Sequence, residues 1–167
     1  MKTKDIVITG LLIAVIYIST AFINFPLPFS PDGGLVHLGT VMLFVISVVF
    51  GGTKGAFAGS LGMSLFNLTS PWVVWAPFTF VIRFVMGYVI GYISNYKGAK
   101  GQSMGLNYLS LGIAALWFFI GSYIAGAIIL GDWVIPVTHI PGNVLQIVLA
   151  MSLGMPIISL INDRKLN

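Results

Sequence analysis

Polar side chains recur with helical spacing inside apolar stretches of this sequence. His139, Asn143 and Gln146 stand at positions i, i+4 and i+7, a spacing that places them on one side of a helix. A second stretch repeats this spacing with Ser60, Ser64 and Asn67. A buried carboxamide without a hydrogen-bond partner costs free energy, so both stripes should face protein or water. Because carboxamides donate and accept hydrogen bonds, the stripes predict a polar cleft for a largely uncharged molecule.

Aromatic side chains are expected close to the same cleft, namely Trp72, Trp75, Tyr123 and Trp133. Ring stacking together with carboxamide hydrogen bonds suits a small, flat ligand. Two purely structural interpretations of these residues stay open. Trp72 and Trp133 can equally be anchors at a membrane interface, and Asn143 and Gln146 can equally hold helices together. Trp75 lies a turn deeper than Trp72 and is the stronger candidate for a wall.

Ionisable residues are scarce, and their scarcity excludes several classes of function. The chain has four Asp, no Glu and no Cys, which excludes zinc–cysteine sites, iron–sulfur clusters and thiol catalysis. His37, His139 and the acids are too scattered to predict a metal site, a catalytic pair or a bound cofactor. There is no phosphate-binding Gly-x-x-x-x-Gly-Lys-[Ser/Thr] loop and no dense basic patch for nucleic acid. An integral membrane enzyme and a stand-alone secondary transporter are therefore the less favoured alternatives.

Arg83 is predicted about 16 Å into its helix, where an arginine needs a partner or water. It either binds ligand or holds carbonyl groups of a neighbouring helix end, and the second role is slightly favoured because no acid is predicted at its depth. His37, predicted at the mouth of the second helix, and Thr79 complete the candidate binding residues.

Composition predicts a polytopic membrane protein. Of the 167 residues, 57% are hydrophobic and 7% are charged, whereas a soluble domain carries about 25% charged residues. A helix needs about 20 mostly apolar residues to cross the hydrocarbon core. We therefore predict a single all-α domain over residues 1–167, a bundle of six transmembrane helices with spans over Ile6–Phe25, Leu35–Phe50, Gly55–Thr69, Trp72–Ser94, Gly105–Leu130 and Ile140–Ile161.

Basic residues test the short third span. With six spans and cytoplasmic termini, seven of them fall on the cytoplasmic side, where Lys and Arg collect: Lys2, Lys4, Lys54, Lys97, Lys100, Arg164 and Lys165. Removing the third span would divide them between the two sides. The sequence therefore predicts that both termini are cytoplasmic and that the cleft opens outside. The N-terminal apolar run is too long for a secretory signal peptide.

Small residues four positions apart predict faces where helix backbones approach closely. Such pairs occur at Gly10/Ala14, Gly55/Gly59, Gly87/Gly91 and Ser122/Gly126. The first pair lies in the cytoplasmic half of the first span and is a candidate docking face for another membrane subunit.

The stretch from Gly33 to Gly91 resembles the substrate-binding S components of energy-coupling factor (ECF) vitamin transporters. The matching positions are Gly34-Leu-Val-His37-Leu-Gly39, Phe50-Gly51-Gly52-Thr-Lys54-Gly55-Ala56, Ala58-Gly59-Ser60-Leu-Gly62, Trp75-Ala76-Pro77 and Arg83. The segment Ile140-Pro141-Gly142-Asn143-Val-Leu-Gln146 is similar to the start of that family's last helix.

The resemblance implies a subunit of the prokaryotic plasma membrane that binds a vitamin or precursor from outside. It implies assembly with a membrane T component and two cytoplasmic ATPase subunits, and toppling in the bilayer to release the ligand. The T component would contact Gly10 and Ala14. The first outer loop would act as a gate, with Pro28, Asp32, Gly33 and Gly34.

The expected ligand follows from the same comparison and from the stripes. Asn67 stands where relatives carry an acid, which weakens the expectation of a cationic substrate. We favour pyridoxine or the hydroxymethylpyrimidine precursor of thiamine, and riboflavin next.

Overall fold

The computed structural model describes the backbone of residues 3–26 and 35–166 and the side chains up to residue 163. The prediction of a helical membrane bundle is confirmed: six α-helices follow one another, at Thr3–Phe22 (α1), Gly39–Phe50 (α2), Gly52–Leu68 (α3), Ala76–Ser94 (α4), Met104–Leu130 (α5) and Ile140–Leu166 (α6). Short 3₁₀ turns at Val73–Trp75, Tyr96–Gly98 and Ile135–His139 precede α4, α5 and α6. Within the described ranges, α1, α4, α5 and α6 are long and apolar enough to cross a membrane.

A short hairpin replaces helix at two predicted boundaries. The sequence predicted that the first span reaches Phe25 and that the second begins at Leu35. Instead, Asn24–Pro26 (β1) and Leu35–His37 (β2) form an antiparallel pair. The reason is local: the Asn24 side-chain amide donates to the carbonyls of Thr20 and Ala21 and so satisfies the end of α1, while Pro26 lacks the N–H that a continuing helix needs.

Helices α3 and α4 cross almost backbone to backbone. A Cβ atom built on Gly87 would lie 2.7 Å from the carbonyl oxygen of Gly55, and one built on Gly91 would collide with Gly52. Further along the crossing, Ser64 Oγ donates to the Ala76 carbonyl at 3.1 Å. The small residues thus permit the close approach that their spacing predicted, and this approach fixes α3 relative to α4.

Helix α2 is the centre of the bundle. It contacts α1, α3, α4 and α6, and its side chains Leu43, Phe44 and Val48 are fully buried. Only Gly51 separates α2 from α3, with a φ of 89° that favours glycine.

Polar contacts stabilise the end of the bundle at which α4 is connected to α5. The carbonyl of Gly101 accepts from the side-chain amides of Asn107 and Asn162 at 2.8 and 3.0 Å. An ion pair of 3.0 Å joins Lys54 to Asp5. These contacts tie α6 to the α4–α5 connection and α1 to α3.

Candidate functional site

A pocket lies at the end of the bundle where α1 ends and where α4 and α6 begin. The space between its walls, with the open mouth included, is about 690 Å³. The described lining residues come from β2, from five α-helices and from the turns before α4 and α6: Thr20, Leu35, His37, Met63, Asn67, Trp72, Trp75, Thr79, Ile82, Arg83, Phe118, Ser122, His139, Asn143 and Gln146.

A buried hydrogen-bond group joins α6 to β2 and α2 at this pocket. Gln146 Nε2 lies 2.9 Å from His37 Nε2 and also donates to Thr40 Oγ1. All three side chains are at least nine-tenths buried. The contacts fix the orientation of the Gln146 amide, which sits one turn below Asn143 on the same helix face.

Carboxamides lie on two sides of the pocket. Asn67, from α3, donates through Nδ2 to Thr79 Oγ1 on α4 at 2.7 Å, which leaves its Oδ1 as an acceptor. Asn143, half-buried on α6, also lines the pocket. The pocket therefore offers donors and acceptors from separate helices, as specific recognition of a polar ring edge requires.

Aromatic rings form much of the remaining wall. Trp72 and Trp75 come from the turn before α4, and Phe118 comes from α5. The Trp75 ring lies 5.8 Å from the His139 ring with an interplanar angle of 57°. The wall can stack on a flat ligand.

Arg83 contributes a positive charge to the pocket. Its side chain is 6% exposed, its Cζ atom lies 4.2 Å from the centre of the Phe118 ring, and Nη1 donates to Met86 Sδ at 3.4 Å. Among the pocket residues that the structure describes, none is an Asp. The pocket thus disfavours a cationic ligand.

Eight of the nine predicted binding residues are brought together here: His37, Asn67, Trp75, Thr79, Arg83, His139, Asn143 and Gln146. The ninth, Tyr123, does not line the pocket, and its hydroxyl donates to the Trp133 carbonyl at 2.7 Å. Tyr123 follows Ser122, which does line it, and one residue along a helix rotates a side chain by about 100°. The predicted gate residues Pro28, Asp32, Gly33 and Gly34 lie outside the described residues.

Sequence reasoning missed several apolar and small lining residues, among them Met63, Ile82 and Phe118. One signal was available: Phe118 and Ser122 are spaced i, i+4 on α5. Trp75, the last residue before α4, and Thr79 within α4 have the same spacing. Ser64 of the predicted stripe bonds to α4 instead of the pocket.

Asp132 organises the turn that precedes α6. Its carboxylate accepts from the backbone N–H groups of Ile135 and Val134, and these bonds hold the pKa of the Asp132 carboxyl below its ordinary value. The turn ends at His139, at the pocket. In the described ranges, no group of three or more His, Cys, Asp or Glu side chains is placed to hold a metal ion.

Comparisons with known proteins give one family and one fold. Residues 1–163 match the family described as ECF-type riboflavin transporter, S component. A solved S component of a bacterial ECF transporter superposes with a TM-score of 0.72, covering 98% of both chains at 18% identity. A Pyrococcus woesei protein, described as an uncharacterized protein in the gap 3′ region, is 33% identical over 66 residues. That match spans 40% of this chain and 43% of the relative.

Proposed function

Because the chain belongs to the family of ECF-type riboflavin transporter S components, we propose that it binds riboflavin for uptake across a prokaryotic cell membrane. Proteins of this family are membrane-embedded subunits for vitamin uptake and are not enzymes. In this proposal the ligand binds at the pocket lined by β2, α1 and α3–α6. A T component and two ATPase subunits supply the energy for its release.

The observation that carries the proposal is the chemistry of the pocket. Riboflavin has a flat, uncharged ring system with carbonyl and N–H groups along one edge, and a hydroxylated chain. Trp72, Trp75 and Phe118 offer surfaces for the ring, and Asn67 and Asn143 offer hydrogen bonds. The family match favours riboflavin over pyridoxine and the hydroxymethylpyrimidine, which the sequence placed first.

The direction of uptake follows from the distribution of charge. Lys54, Lys97 and Lys100 lie on the ends and connections opposite the pocket. Since cytoplasmic loops collect basic residues, we place that end inside and the pocket outside. Both termini are then cytoplasmic.

Docking to the T component is assigned to Gly10 and Ala14. Both are exposed on α1, and a Cβ built on Gly10 would meet no atom within 4 Å. The other three predicted small pairs are buried between helices of this chain. The pair on α1 is therefore the one that a neighbouring membrane helix can approach closely.

Riboflavin titration of the full chain purified in detergent tests the proposal. Saturable quenching of flavin fluorescence is expected, with pyridoxine and the hydroxymethylpyrimidine as weak competitors. Trp75→Ala should weaken binding at least about 2- to 12-fold, because a ring contact contributes about 0.5–1.5 kcal/mol beyond its buried area. Trp133→Ala is the matched control, since Trp133 is 63% exposed and lies outside the pocket lining. Displacement of riboflavin by either competitor at equal concentration would contradict the assignment.

A further inference from the structure

The Arg83 guanidinium has donors that the described protein groups do not use. Its one hydrogen bond within residues 3–26 and 35–163 goes to the thioether of Met86, a weak acceptor. Its Cζ atom lies over the Phe118 ring. The remaining N–H groups belong to a side chain that is 94% buried and lines the pocket.

These contacts do not match a purely structural arginine. An arginine that holds a membrane bundle together is paired with an acid or with backbone carbonyls. No such acceptor is hydrogen-bonded to Arg83 in the part of the chain that the structure describes. A buried charge that is so weakly paired is costly, and the cost is offset when a ligand supplies the acceptors.

We propose, on the basis of the proposed function, that Arg83 donates hydrogen bonds to the pyrimidinedione edge of the flavin ring. This edge carries two carbonyl oxygens and an unprotonated ring nitrogen, and it is the electron-rich end of the molecule. A guanidinium is planar and presents its donors as a rigid fork, which suits two neighbouring acceptors in one plane. Arg83 is thus a specificity residue: it favours neutral or anionic rings with carbonyl groups and repels cationic ones.

Phe118 completes this arrangement from α5, which packs against α4. The centre of its ring lies 4.2 Å from Cζ of Arg83. His37, which also lines the pocket, is hydrogen-bonded to Gln146. The charge therefore has a fixed position and does not need to reorganise when the ring binds.

Affinity measurements on three variants test the assignment. Arg83→Gln should weaken riboflavin binding roughly 10- to 150-fold, the loss expected for hydrogen bonds to a charged group. Arg83→Lys, which keeps the charge but not the fork, should lie between Arg83→Gln and the wild type. Lys4→Met is the control, because it removes one exposed positive charge far from the pocket. Melting temperatures of all variants check that the bundle stays folded.

A spectroscopic readout separates ligand contact from structural support. The thiolate of 8-mercaptoriboflavin absorbs at longer wavelength when a nearby cation draws negative charge onto the pyrimidinedione ring. We expect this red shift in the wild type, Lys4→Met and Arg83→Lys, and its loss in Arg83→Gln. Riboflavin binding with the same affinity and the same spectrum in Arg83→Gln overturns the role of Arg83 and leaves the proposed function intact. Absence of riboflavin binding to the wild type overturns both.

Discussion

The α3–α4 crossing can be tested by adding a single methyl group. In Gly87→Ala the new Cβ would lie 2.7 Å from the carbonyl carbon and oxygen of Gly55 and 2.8 Å from the nitrogen of Ala56. These are backbone atoms, so the helices themselves must separate. Overpacking of this kind costs about 1–3 kcal/mol. The separation also pulls Asn67 away from Thr79 at the pocket, because the two helices share that hydrogen bond.

Gly112→Ala is the matched control for this variant. Gly112 is also inside a helix, but it is exposed and a Cβ there would meet no atom within 4 Å. Because both substitutions gain the same helix propensity, that contribution cancels in the comparison. The difference in stability between Gly87→Ala and Gly112→Ala is therefore the overpacking itself.

Thermal unfolding in detergent, with and without riboflavin, measures the effect. At about 2–4 °C per kcal/mol for a chain of this size, Gly87→Ala should melt roughly 2–12 °C below Gly112→Ala. Its riboflavin affinity should fall as well, while that of Gly112→Ala stays at the wild-type value. Equal melting temperatures for the two variants would refute the backbone-to-backbone crossing.

Three further outcomes are expected. Replacing Gly10 or Ala14 by Leu should abolish both riboflavin uptake and co-purification of the T component with this chain, while riboflavin binding is retained. Gly112→Leu, the control, should leave uptake unchanged. Uptake at the wild-type level in both docking variants would contradict the docking face. Asp132→Ala should weaken ligand binding by loosening the turn before α6. The folded-state pKa of Asp132 lies below its ordinary value. The ionised carboxylate therefore stabilises the fold at pH values above the unfolded-state pKa, and this stabilisation is lost as pH falls through the folded-state pKa. The effect of Asp132→Ala on melting temperature should accordingly vanish in acid. Tyr123→Phe should leave riboflavin affinity unchanged in titrations, because Tyr123 lies outside the pocket lining, and a marked loss would place it in the site.

Much of the pocket was predictable because its polar residues are conspicuous in an apolar chain. Asn143 and Gln146 stand out on α6, because a buried carboxamide costs free energy unless it finds hydrogen-bond partners. Helical periodicity then assigns the face without knowledge of the fold. The same argument gives no signal for Ile82 or Phe118, which are apolar residues in apolar helices, and their contribution depends on how α4 and α5 pack.

The hairpin could not be predicted from local pattern. Asn24–Pro26 and Leu35–His37 are short and continue apolar runs that have the composition of helices. They become strands because each finds its hydrogen-bond partner in the other, and such pairing between separate segments is invisible to a local reading. Tyr123 was predicted at the cleft from its position near the outer end of its helix, but such a position does not set the direction of a side chain around the helix, and the pocket lining does not include it.

The short length of α2 has a consequence for the pocket. At 12 residues the helix is about 18 Å long, whereas the hydrocarbon core is about 30 Å thick. The missing 12 Å or so corresponds to two helical turns at the centre of the bundle, at the end where Thr40 and His37 approach Gln146. At this end β2, whose His37 lines the pocket, directly precedes the short helix. Extending α2 by two turns before Gly39 should therefore displace His37 from the pocket and weaken ligand binding.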